Sequence, residues 1–299
     1  LRRHLTKPAS PGQRHLHPQQ QLFQKQSRIQ VIDLYRLSPM QTLLALGYCG
    51  TLLLLAFVLP SGILLSYAIG YFEQSWDPIF WQLSVNSLSL ALITSLVCCA
   101  IALILMFIRR VSPRSSDALP SRLASTGYAL PGTVLAIGVL VPLTLLDFAI
   151  NDVADWLGMA GPGLLLTGST AALVFAFCVR FVAIAIGSVE TSYKRISPSL
   201  DMVSLTLGQS PRRLLQRVHL PLLTKGLFAG ALLVFIESMK ELPAALLLRP
   251  IGFENLATYV FQFVSDEKLE HGALPAIVIV LVGLVPLIYL NRSLEQDSR

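Results

Sequence analysis

The 299-residue chain is 54% hydrophobic and only 13% charged, with a net charge of +6 and a mean hydropathy of +0.63. Soluble domains carry about 25% charged residues, so this composition excludes a soluble globular domain and points to a membrane protein. The unit to count is therefore the apolar span of about 20 residues, and not the soluble domain.

Residues 1–38 are polar, with Gln19, Gln20 and Gln21 in a row and scattered Pro, Arg and Lys. No apolar run follows the basic start, so it does not read as a signal peptide. We expect a disordered cytoplasmic tail or interdomain linker, with His4, His15 and His17 solvated and not ligating a metal. Residues 39–299 are expected to form one six-span membrane domain, with apolar blocks near 43–69, 84–108, 123–146, 164–188, 225–248 and 272–290. Leu130-Pro131-Gly132 at the third block predicts a kink or a close helix contact. Pro275 is expected in the first turn of the sixth. Cys49, Cys98, Cys99 and Cys178 all lie in apolar runs without metal-ligand spacing and read as small buried hydrophobes.

Between the fourth and fifth blocks lies Ser197–Pro221, SPSLDMVSLTLGQSPRRLLQRVHLP. Ser197 followed by Pro198 predicts a helix start. Leu200, Val203, Ser204 and Leu207 recur at helical spacing and predict one common face. Gly208 predicts a left-handed stop. Ser210-Pro211 repeats the start signal, and Arg212, Arg213 and Arg217 then fall on a second short helix that Pro221 is expected to end. After the fifth block, Leu256, Tyr259, Val260 and Phe263 predict a short helix lying at the outer surface.

Nineteen of the 23 Lys and Arg residues lie in the tail, the 109–122 and 189–225 loops and the C-terminus, all on one side of a six-span arrangement. The other side carries at most Lys240, Arg249 and Lys268, together with nine acidic residues such as Glu73, Asp152 and Glu254. The positive-inside rule then places both termini and the 197–221 loop in the cytoplasm, and nucleic-acid binding is not needed to explain the charge. Ionisable residues inside spans are costly and so are candidates for function. Arg180 falls in the fourth block; Glu237, Lys240 and Glu241 fall in the fifth, at a spacing that predicts one shared helix face before Pro243 interrupts it. At about 1.5 Å per residue, Arg180 and Glu237 lie at similar depths, and we expect them to be partners. The cluster reads either as a structural ion-pair set or as the lining or gate of a translocation pathway.

The loop resembles that of ABC importer permeases, whose pattern is Glu-Ala-Ala, three residues, Gly, nine residues, an aliphatic, one residue, then Leu-Pro. Gly208, Val218, Leu220 and Pro221 match it. Met202-Val203-Ser204 stand where Glu-Ala-Ala is usual, with Asp201 one position earlier as a substitute for the charge. MKELPAALLLRPIGFENLAT, beginning at Met239, and Tyr128–Thr133 are similar to the ferric-iron branch, which often fuses two six-span halves in one chain. The start of this chain is consistent with the C-terminal half of such a fusion, and equally with a truncated gene product.

The resemblance implies an all-α, type I ABC importer permease fold and a bacterial inner-membrane location. It implies docking of a partner ATPase through Asp201, Met202, Val203, Ser204, Gly208, Arg212, Leu220 and Pro221. It also implies a second permease half and an external substrate-binding protein. The pathway or gate reading of the intramembrane charges takes in Arg180, Glu237, Lys240, Glu241 and Pro243. ATP and Mg would belong to the partner, since the chain has no Gly-x-x-x-x-Gly-Lys-Ser/Thr loop. No cofactor or catalytic residue is expected. An intramembrane enzyme would need a nucleophile–base pair or metal ligands at depth, and no histidine falls mid-span. A membrane sensor or scaffold would need an output domain. Other solutes, namely polyamine, sulfate, molybdate and thiamine, share the loop.

Overall fold

The computed structural model describes residues 37–111 and 119–297, nearly all of them helical. The expected tail and its histidines lie outside these residues, except for Leu37 and Ser38. The chain divides into two units, Leu1–Leu55 and Ala56–Arg299.

In the first unit, α1 (Pro39–Leu53) starts from a capping box in which the Ser38 hydroxyl accepts from Gln41 N and the Gln41 side chain accepts from Ser38 N. Every residue of α1 is exposed, Cys49 included, which corrects its reading as a buried hydrophobe.

The second unit contains α2 (Leu59–Gly70), α3 (Phe72–Ser75), α4 (Pro78–Val111), α5 (Leu119–Thr126), α6 (Gly132–Trp156), α7 (Thr170–Lys194), α8 (Pro198–Thr206), α9 (Pro211–Leu214), α10 (Leu220–Met239), α11 (Pro243–Leu248), α12 (Leu256–Ser265) and α13 (Leu269–Asp297). Among the described residues, six helical stretches are long and apolar enough to cross a bilayer: Pro39–Gly70, Pro78–Val111, Gly132–Trp156, Thr170–Lys194, Pro211–Met239 and Leu269–Ile288.

Helices α4, α7 and α10 pack on one another and form the centre of this unit. Their core joins Cys98, Ala102, Leu173, Phe177, Phe181, Val189, Leu223 and Val234. Small residues set the close approach. A Cβ on Gly226 would collide with the Ser192 hydroxyl, so α7 and α10 touch almost backbone to backbone there. Lipid supplies no hydrophobic drive between helices, which is why membrane interfaces select such residues. A second core gathers Leu83, Ala91, Leu256, Ala273 and Leu274 where α12 and α13 meet α4.

Proline and glycine account for most departures from the predicted spans. The third span begins at Gly132, not near 123: α5 is a separate helix, followed by a short 3₁₀ turn and an extended Leu130. The fifth span is longer at its start and shorter at its end than predicted. Pro221 does not end the second loop helix. A π-helical segment, Leu215–His219, carries α9 directly into α10, with Pro221 in the first turn of α10. A wider turn there accommodates a residue that cannot donate to the carbonyl one turn back. Pro243 does break the helix, because it offers no N–H to the carbonyl of Met239, and α10 ends at that residue. Pro275 lies inside α13, not in its first turn. The short helix expected after the fifth block is present as α12, capped by Asn255, whose side chain accepts from Thr258 N.

Candidate functional site

The 197–221 loop starts as its sequence predicts. Ser197 is the N-cap of α8 and accepts from Ser199 N. Gly208 has φ +75°. Gly208 N donates to Leu205 O and Gln209 N to Ser204 O, the paired bonds of a Schellman stop, which needs a left-handed residue between them. Ser210 caps α9 through backbone conformation alone.

The predicted common face is not the one that packs inward. Of Leu200, Val203, Ser204 and Leu207, only Ser204 is buried. The inward face of α8 is Asp201 and Ser204, because Asp201 is drawn to the ends of the spans. Arg110 at the end of α4 donates from Nε to Asp201 Oδ2 at 2.5 Å and from Nη2 to Ile196 O at 3.0 Å. His219 Nε2 lies 2.8 Å from Asp201 Oδ1. Its Nδ1 lies 3.2 Å from the Tyr193 hydroxyl at the end of α7. A carboxylate only accepts, so Nε2 carries a proton, and in the neutral ring Nδ1 accepts from Tyr193. His219 is fully buried, edge-on to the rings of Phe107 and Tyr193.

One carboxylate therefore ties the loop to α4 and α10, and through His219 to α7. Burial alone would raise the Asp201 pKa, but the hydrogen bonds from His219 and Arg110 outweigh it and hold the carboxyl below its ordinary range. Asp201 is the only acidic residue of the loop. Its charge is engaged inside the chain, with Arg110 and His219. Arg110, Tyr193 and His219 escaped the sequence reading. His219 stood within the matched Leu-Pro segment, yet nothing local paired it with a residue 18 positions earlier.

Met202, Val203, Arg212, Leu220 and Pro221 are all exposed, as is Gly208. Arg213 and Arg217 beside them are exposed too.

The second cluster lies where α6, α7 and the α10–α11 break meet. Arg180 Nε is 3.3 Å from Glu241 Oε2, with side-chain exposures of 20% and 7%. Lys240 Nζ is 2.8 Å from Glu237 Oε1, and this pair is more exposed. The expected Arg180–Glu237 pairing is thus corrected, and so is the shared face. The helix ends at Met239, so Glu241 lies in the break, turned towards α7, while Lys240 stays outside.

Glu241 Oε1 also accepts from Ala244 N at 3.3 Å, closing the first turn of α11 behind Pro243. The Leu130-Pro131-Gly132 bend brings Gly132 onto this pair: a Cβ there would collide with Arg180 Nη1 and crowd Glu241 Oε1 at 2.7 Å and Pro243 at 3.1 Å. Arg180 Nε and Nη1 are buried without a hydrogen-bond partner among the described residues. The pair is close but poorly aligned, which leaves it few bonds to lose on separating. Among the described residues no group of three or more His, Cys, Asp or Glu could hold a metal ion.

No family model matches the chain. It is similar to the Fe(3+)-transport system permease protein FbpB 2 of Haemophilus influenzae, 26% identical over 165 residues, which is 55% of this chain and 29% of that protein. It therefore spans under a third of that relative's length. It is also similar to the putative 2-aminoethylphosphonate transport system permease protein PhnV of Salmonella typhimurium, 26% identical over 236 residues, 79% of this chain and 81% of that one. The spermidine/putrescine transport system permease protein PotB of Escherichia coli is 21% identical over 241 residues, 77% of this chain and 86% of that one. In fold it resembles a chain of a bacterial alginate ABC transporter crystallised with an alginate-bound periplasmic protein, with TM-score 0.64 and 14% identity over 86% of this chain and 95% of that one.

Proposed function

We propose that this chain, which belongs to the ABC-transporter permeases, is the membrane subunit of a bacterial importer of a small charged solute, with ferric iron as the first candidate. An external binding protein delivers the solute, a second permease half completes the pathway, and a partner ATPase binds ATP and Mg and docks on the 197–221 loop. Both termini and that loop face the cytoplasm, and the membrane is the inner one.

The observation that carries the reading is the loop itself. Helix α8 has its one carboxylate locked to Arg110 and His219, while Met202 and Val203 stand exposed on the other side. A push on the outer face of α8 is delivered to three spans through the Asp201–Arg110, Asp201–His219 and His219–Tyr193 contacts.

The Arg180–Glu241 pair serves as a latch on the pathway. Separation of α7 from the α10–α11 break frees a carboxylate, and Glu237 supplies another nearby. Carboxylate oxygens suit a hard cation such as ferric iron, and the FbpB 2 similarity points the same way. A second reading, 2-aminoethylphosphonate, is favoured by the PhnV similarity over most of both chains. Two cationic and two anionic groups also suit a zwitterion.

Uptake into proteoliposomes containing the chain, its ATPase and its binding protein tests the proposal. Labelled ferric iron should accumulate with ATP and should not be displaced by excess 2-aminoethylphosphonate or spermidine. Competition by either would reassign the substrate, and ATP-independent uptake would remove the importer reading.

A further inference from the structure

The outward face of α8 also specifies the chemistry of the surface that covers it. The helix turns Asp201 and Ser204 towards the span ends, so the opposite face, with Met202 and Val203, looks away from them. Lipid lies alongside the spans, and a face pointing beyond their ends meets the aqueous phase. Met202 is 68% exposed and Leu207, just past the helix, 73%. A surface this apolar in water marks an interaction site. In the helical segment that follows, Arg212, Arg213 and Arg217 are all exposed, and the loop offers no free carboxylate.

Resting on the reading of this loop as the ATPase dock, we propose that the partner presents an apolar pocket for Met202 and Val203, rimmed by carboxylates that receive the three arginines. It has no basic residue awaiting an acid from α8. Met202 stands where the loop pattern has glutamate, so this interface is apolar at that position. Its electrostatics rest with the arginines, of the opposite sign.

The test titrates the purified ATPase subunit of the same transporter onto the full chain in lipid nanodiscs. Met202→Glu should weaken binding by about tenfold or more, and Met202→Leu should leave it nearly unchanged. Reversing Arg212 and Arg213 to Glu should weaken it comparably and flatten its dependence on salt, since paired rim charges are screened. Unchanged or tighter binding of Met202→Glu overturns the proposal, as does salt-independent binding of the unaltered chain. A spin label at Met202→Cys should collide more with a water-soluble nickel chelate than with oxygen; the reverse means that lipid covers the face, and also overturns it. Failure of the underlying reading has a separate signature. If Gly208→Val and Leu207→Glu also leave the affinity unchanged, the ATPase docks elsewhere.

Discussion

Replacing Glu241 by Leu removes a carboxylate that is 7% exposed and leaves the Arg180 guanidinium, 20% exposed, without its ion-pair partner. Breaking a buried pair from one side costs about 3–5 kcal/mol, because the surviving charge stays in a poor solvent. For a chain of this size each kcal/mol moves Tm by about 2 °C, so the single substitution should lower Tm by about 6–10 °C. Arg180→Leu should do the same from the other side. The double variant removes both charges and should recover at least half of the loss. Glu241→Gln separates the two duties of the side chain, since its amide oxygen still accepts from Ala244 N while its charge is gone. It should therefore unfold at or slightly above the temperature of Glu241→Leu.

The assay is thermal unfolding of the purified chain followed by detergent size-exclusion, with uptake measured on the same preparations. A double variant no more stable than the weaker single one would show that the 3.3 Å separation carries no coupling. A stable double variant that transports at the normal rate would make the cluster packing and not pathway.

Four further outcomes follow. Gly208→Val places a β-branched residue at φ +75°, which costs about 1–2 kcal/mol or more locally; the spans should still insert, but ATP hydrolysis should no longer drive uptake, and normal coupled uptake would refute the loop's role. Gly132→Ala puts a methyl group against Arg180 and Glu241 and should cost about 1–3 kcal/mol, read as a lower Tm. The Asp201 pKa is depressed in the folded chain, so its contribution is complete above the ordinary carboxylate pKa and is lost only as pH falls through the lower, folded value; protease protection of the loop should be flat from about pH 8 to about pH 5 and decline in stronger acid, and Asp201→Asn should abolish that acid-dependent step. Reporter fusions at Asp152 and Gln209 should report opposite sides of the membrane, with Gln209 cytoplasmic; the same side for both would end the six-span orientation.

Much of this protein is determined locally and can be read from residues alone. Six apolar blocks need no tertiary information, because the bilayer imposes length and hydropathy on each span separately. The starts at Ser197 and Asn255 and the stop at Gly208 are equally local, since a cap satisfies backbone groups within a few residues of itself.

What the tertiary structure decided are the pairings across spans. Asp201 meets Arg110 across 91 positions, and Arg180 chooses Glu241 over Glu237 because Pro243 ends α10 two residues before Glu241. Spacing on an ideal helix placed Glu237, Lys240 and Glu241 on one face; the break turned one of them inward. The same physics decided the opposite fates of two prolines. Pro221 follows a π-helical segment that accommodates its missing N–H, whereas Pro243 follows a helix end where no such segment forms. Which carboxylate faces a partner and which is locked inside therefore depends on how the spans meet, and no spacing rule contains that.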